Sequence, residues 1–135
     1  MIDLLNDAIY EKLNGLTAVT NLLASKTSIY FMQAVDDPTF DYIVLSYQAG
    51  GPDNETPRDN RTFLAFIRAY STTSAQASYL IDNQISAALH QKPISVSGYT
   101  NYVIFREEAV QTVENPPTGK KIYMSGGIYR IGLSA

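Results

Sequence analysis

Cysteine and tryptophan are absent from the 135 residues. Without cysteine there are no disulfides, thiolate metal sites, iron–sulfur clusters or cysteine nucleophile. Histidine occurs once, as His90, which excludes a two-histidine metal site or a relay of histidines. Charge is sparse: 17% of residues are Asp, Glu, Lys or Arg, against about 25% in an ordinary soluble domain. Thirteen acids against ten bases leave a net charge of −3. A binder of nucleic-acid phosphate carries a basic excess or a basic face, and no stretch here is rich in Lys or Arg. No apolar run reaches the ~18 residues of a membrane span, so no membrane partner is expected. Met1 to Asp7 holds two acids and no Lys or Arg ahead of its apolar positions, the wrong chemistry for a secretory signal.

What is present suits one domain over 1–135 with a core of its own. Apolar residues make up 45% and tyrosines number ten. Many tyrosines with little charge fit a Tyr-rich β core. They also fit a subunit covered by its neighbours, because Tyr is enriched and Lys and Glu are depleted in interface cores.

Leu4, Leu5, Ala8, Ile9, Leu13 and Leu16 recur at helical spacing. Asn14-Gly15 ends that stripe, and Thr17 can cap a second short helix over 18–24. Ser28–Met32 reads as a short strand. Phe40–Gln48 follows as a second strand, apolar on both faces and so placed inside a sheet. Thr62–Tyr70 is a third, joined to it by a polar loop that is over-long for a hairpin. Ser71-Thr72-Thr73-Ser74 offers caps for a helix carrying Ala77, Leu80, Ile81, Ile85, Ala88 and Leu89, which Pro93 stops. Tyr102–Val113 and Lys121–Leu133 close the chain as long strands, and Gly126-Gly127 predicts a bulge in the last one. The expected fold is α+β: an antiparallel sheet of four to five strands, two helices packed on one face, and a long hairpin arm.

A search for chemistry comes back nearly empty. His90 ends the second long helix, where a capping or surface role is the ordinary one. Glu107 and Glu108 are adjacent on a strand and are expected to face opposite ways. Asp36, Asp37 and Asp41 cluster at a turn without an EF-hand pattern. Gly50-Gly51 and Gly126-Gly127 match no phosphate loop. No catalytic, metal or cofactor residue is expected, and no cofactor. Arg68 and Arg106 lie inside otherwise apolar strands. They, Glu107, Glu108 and Arg130 are candidates for inter-subunit ion pairs, against the plainer reading of pairing within the chain or snorkelling. The loop Gly50, Gly51, Pro52, Asp53, Asn54, Glu55, Thr56, Pro57, Arg58, Asp59, Asn60 has no large apolar anchor. It is the candidate arm for contact with a neighbouring subunit or a tube.

Six short pieces, in order, carry a resemblance. They are Ala8-Ile9-Tyr10-x-x-Leu13, Ser28-Ile29-Tyr30, Tyr42-Ile43-Val44-Leu45, Tyr70-Ser71 before a helix ending Ile85-x-x-x-Leu89, Glu107-Glu108-Ala109-Val110-Gln111, and Ile128-Tyr129-Arg130-Ile131. Together they resemble the tail completion, or tail terminator, proteins of long-tailed bacteriophages and prophages. The loop 50–60 has no residue-by-residue match. The resemblance implies a non-enzymatic virion protein, assembled in the host cytoplasm, that forms a homo-hexameric ring at the head-proximal end of the tail. Such a ring ends tube growth, touches the tail tube protein on one side and the head connector or neck protein on the other. DNA passes through its lumen without sequence-specific binding.

Simple geometry agrees with six copies. A domain of this length has a radius of gyration of ~14 Å and a solid diameter of roughly 36 Å. Six such spheres in a ring leave a hole of ~36 Å; four leave about 15 Å, tight for a duplex. An acidic or neutral lumen also repels phosphate and lets DNA slide. Two alternatives stay open on sequence alone: a head-completion or neck protein, and a small α+β ligand-binding domain or enzyme with a deep pocket.

Overall fold

The computed structural model describes residues 2–34, 39–52, 60–117 and 119–135. Helix α1 spans Ile2–Asn14 and buries Leu5, Ala8, Ile9 and Leu13, the predicted stripe. Helix α2 is a single turn, Thr17–Thr20, shorter than the expected 18–24. Leu16 occupies its N-cap with no side-chain cap, and Thr20 Oγ1 instead bonds back to the Leu16 carbonyl. Helix α3 spans Ala75–Leu89. Of the four candidate caps the chain uses Ser74, whose hydroxyl accepts from Ala77 N–H at 3.1 Å and satisfies one orphan donor of the first turn.

Six strands form one sheet: β1 Ile29–Phe31, β2 Tyr42–Pro52, β3 Asn60–Ser71, β4 Ser95–Val96, β5 Tyr99–Glu114 and β6 Ile122–Ser134. Their order is β1-β2-β3-β6-β5-β4. This corrects the expected four to five strands. The unexpected one is β4, whose two residues are too short to show a period. The sheet is also not wholly antiparallel, since β1 runs parallel to β2. All other pairs are antiparallel, and β2–β3 is the expected long hairpin.

Alternation along β3 buries Phe63, Ala65, Ile67 and Ala69 on one face. α1 and α3 cover that face, and their apolar stripes meet Ile43, Leu45, Tyr129, Ile131 and Leu133 in a continuous core. Burying each large side chain there contributes roughly 1.5–3 kcal/mol.

The predicted bulge at Gly126-Gly127 is not found in β6. The extra residues lie on β5, at Tyr102 and Glu107, where the β5–β6 register shifts. The glycines make room instead. A Cβ on Gly126 would sit 2.6 Å from the Ile67 carbonyl oxygen, and one on Gly127 would sit 2.7 Å from Arg106 Nε. Side-chain volume excluded from β6 is thus taken up by arginines from the flanking strands.

Candidate functional site: an assembly surface

The second face of the sheet carries Tyr30, Tyr42, Val44, Phe66, Arg68, Tyr70, Ile128 and Arg130, and among the described residues no helix packs on it. Aromatic rings cover part of it themselves. Tyr42 stacks on Tyr70 at 5.2 Å, meets Tyr30 edge-on at 5.7 Å and touches Phe40 at 4.8 Å. Tyr42 is only 7% exposed in consequence, and burial raises its hydroxyl pKa to about 12. Arg68 lies over the Phe66 ring at 4.9 Å. Its guanidinium donates to the Tyr70 hydroxyl, the Ser46 hydroxyl and the Met32 carbonyl. It is the tie that holds the turn after β1 against β2 and β3.

Arg106 points the other way, under α3. It donates to both oxygens of Asp82, at 3.0 and 2.8 Å, and to the Gly126 carbonyl at 3.0 Å. Ser125 Oγ also donates to Asp82, at 3.0 Å. Burial pulls the Arg106 pKa down, but the bonds and charge of Asp82 outweigh it and leave the group above its ordinary value. Such a fork is geometrically specific, and it clamps α3 to β5 and β6. Tyr129 lies beside the fork, fully buried, and burial pushes its hydroxyl up to about 12.

The sequence-predicted residues divide accordingly. Arg68 and Arg106 emerge on opposite faces, so the arginines do not converge. Arg106 pairs with Asp82 and Arg130 pairs with Glu107, both within the chain. Glu107 and Glu108 do not face opposite ways. The bulge between Arg106 and Glu108 lets Glu107 reach Arg130 while Glu108 stands in register with Ile128 on the same face. Of the arm 50–60, Gly50, Gly51 and Pro52 end β2 and Asn60 opens β3; residues 53–59 lie outside the described residues. Asp36 and Asp37 do as well. His90 is the C-cap of α3, and its Nδ1 accepts from the Arg106 backbone N–H at 3.0 Å.

Sequence reasoning missed Asp82 and the open margin of β5. Asp82 left a signal: it sits among Ser78, Ile81 and Ile85 on the buried side of α3, where a lone carboxylate demands a partner. Arg106, inside an apolar strand, is the matching demand. The margin left none. Beyond Arg106, β5 is paired on one side by β6 and, among the described residues, by nothing on the other. Ala109, Gln111, Val113 and Glu114 are exposed there.

The groove lined by Gln91, Pro93 and residues 101–105 holds 330 Å³, with Tyr102 as its single titratable side chain. Among the described residues no three His, Cys, Asp or Glu side chains gather as metal ligands.

Comparison with known proteins agrees with a structural part. The model of the family described as "Tail completion protein gp17" matches residues 7–118. No curated protein matches the chain. A solved chain titled "Virion of native gene transfer agent (GTA) particle" superposes with a TM-score of 0.78, covering 97% of this chain and 95% of that one at 12% identity. At that identity the likeness is one of fold. A second solved chain, 10% identical, reaches a TM-score of 0.47 and carries no argument. The chain belongs to the tail completion protein gp17 family, and that membership supports a structural, non-enzymatic component of a phage-type tail.

Proposed function

We propose that this chain is the subunit of a homo-hexameric ring at the head-proximal end of the tail. The ring ends growth of the tube, presents its outer side to the head connector or neck protein, and leaves a lumen through which DNA passes without sequence-specific contact. It assembles in the host cytoplasm. The family match over residues 7–118 is the observation that carries this reading. The molecule's own features support it. Charge is low and net negative, so a lumen lined by this chain would not hold DNA in a salt-dependent way. Among the described residues the margin of β5 beyond Arg106 is left unpaired, which an isolated monomer would be expected to guard.

The loop 50–60 serves this function as an arm toward a neighbouring subunit or the tube. Among Arg68, Arg106, Glu107, Glu108 and Arg130, an inter-subunit ion pair falls first to Glu108. It is exposed, while both neighbouring arginines are engaged elsewhere.

Electron microscopy of tails assembled without the protein is the test. Tubes of uncontrolled length would support a terminator. Normal-length tails that fail to join heads would place the chain in the neck. Normal tails joined to heads would overturn the reading. Deleting Pro52 to Asp59 is expected to leave the circular dichroism spectrum unchanged and to stop capping; a deletion variant that caps tails normally removes the arm from the proposal.

A further inference from the structure

The ladder directions show which backbone groups of β5 look outward. Arg106 N–H donates to His90 Nδ1, and the Ile104 carbonyl accepts from Gln91 N–H at 2.8 Å. Residues 104 and 106 therefore turn their backbone groups away from β6. In an antiparallel ladder that orientation recurs at every second pair. Past the extra residue Glu107 it falls on Ala109, Gln111 and Val113, which pair with Gly127, Ser125 and Tyr123. At the far margin, the Ser28 carbonyl accepts from Ile43 N–H and Met32 N–H donates to the Leu45 carbonyl. Ile29 and Phe31 of β1 therefore turn outward, the Phe31 carbonyl being taken by Gln33 N–H.

These two margins stand level. Ile29 is opposite Ile43, Ile43 opposite Ala69, Ala69 opposite Ser125, and Ser125 opposite Gln111. Phe31 reaches Ala109 by the same route through Leu45, Ile67 and Gly127. Strand directions alternate from β2 to β5, and β1 is parallel to β2, so β1 runs antiparallel to β5. A copy displaced sideways by one sheet width brings its β1 against the open stretch of β5 with direction and level matched, and with outward groups facing outward groups except at the Phe31 carbonyl, which Gln33 N–H already takes. The remaining margins are complementary too. The chain from Gln91 to Val96 flanks β5 at the level where β2, beyond Tyr47, has among the described residues no strand on its outer side.

We propose that β1 of one copy adds to β5 of the next, so that the sheet runs unbroken around the assembly. Tyr30 then meets Val110 on the helix-free face, an aromatic and β-branched pair of the kind that stabilises sheets. Phe31, 38% exposed in the single chain, lies against Ala109 on the helix side. The contact is head-to-tail and closes into a ring when the rotation allows. At any level each copy contributes five strands, either β1 or β4 being present. At ~4.8 Å per strand, six copies enclose a backbone circle about 46 Å across, or about 36 Å inside side chains ~5 Å deep. The inference rests on the ring proposed above.

The absence of cysteine makes the test clean. Tyr30→Cys with Val110→Cys places two thiols four strand spacings apart within a chain, roughly 19 Å, beyond disulfide reach. Between copies they would face each other. Oxidised tails carrying the double variant should yield a covalent ladder ending at the closed ring on non-reducing gels. An equal mixture of the two single variants should stop at dimers. If microscopy shows the ring and no cross-link forms, strand addition is overturned while the ring stands. If no ring is present, both fall.

Discussion

The Asp82–Arg106 fork is the most exacting test of the packing argument. The two side chains are 6% and 16% exposed, and the fork is joined by Ser125 and the Gly126 carbonyl. Removing one partner strands the other's charge in the interior, a change that costs about 3–5 kcal/mol. Asp82→Ala should therefore lower a urea midpoint by about 2 M at a slope near ~2 kcal/mol/M. In a thermal melt the same loss corresponds to roughly 10–15 °C. Replacing both, as Asp82→Leu with Arg106→Met, removes the stranded charge together with its desolvation. That variant should recover most of the loss. The four proteins of this cycle, followed by far-ultraviolet circular dichroism in urea, give the coupling directly. Two results would refute the reasoning. One is a cost of under ~1 kcal/mol for Asp82→Ala, which is what a solvated pair gives. The other is a double variant whose loss equals the sum of the singles.

Three further outcomes follow from the same structure. Tyr42 and Tyr129 ionise near 12 when folded and near 10 when unfolded, so above pH 10 the unfolded chain loses protons that the native chain keeps. The contribution of these two groups should be constant below pH 10 and fall between pH 10 and 12 by about 2–3 kcal/mol for each; a urea midpoint that does not drop between pH 10 and 12 would contradict this. Gly126→Ala should cost about 1–3 kcal/mol, because its Cβ meets the Ile67 carbonyl oxygen at 2.6 Å, a backbone atom that cannot swing aside; an unchanged urea midpoint would show that β3 and β6 are less tightly apposed. Glu107→Gln, which breaks the exposed pair with Arg130, should leave the melting temperature unmoved, since exposed pairs are screened by water and salt, and a drop like that of Asp82→Ala would place that pair in the interior.

Where periodicity is local, the sequence was enough. The α1 stripe, α3 with its Ser74 cap, and the two-sided apolar pattern that put β2 inside the sheet all follow from spacing within one segment. Errors arose where a neighbouring strand decides the outcome. Gly126-Gly127 looked like a bulge because glycine weakens pairing. In the fold those positions are where Arg68 and Arg106 lie close over the backbone, and the extra residues fall on β5 instead. Adjacent glutamates on a strand point to opposite faces only if the ladder is regular, and the irregularity sits at Glu107 itself. β1 lies parallel to β2, a choice that three residues do not encode by themselves.

The same distinction explains why the open margin was invisible. That a bare edge invites pairing can be argued from any sheet. That Ile29 stands level with Gln111 depends on four registers in series, each fixed by contacts between segments far apart in the chain. A one-residue slip in any of them would turn the outward groups of β1 or β5 the wrong way. Among the described residues neither β1 nor the open half of β5 is bound by a hairpin turn at its outer side, so nothing local there preserves their match. Two margins that agree in level and direction are therefore a property of the whole sheet. Repetition of identical subunits is the use of such a property that needs no second protein, since every copy carries both halves of the contact.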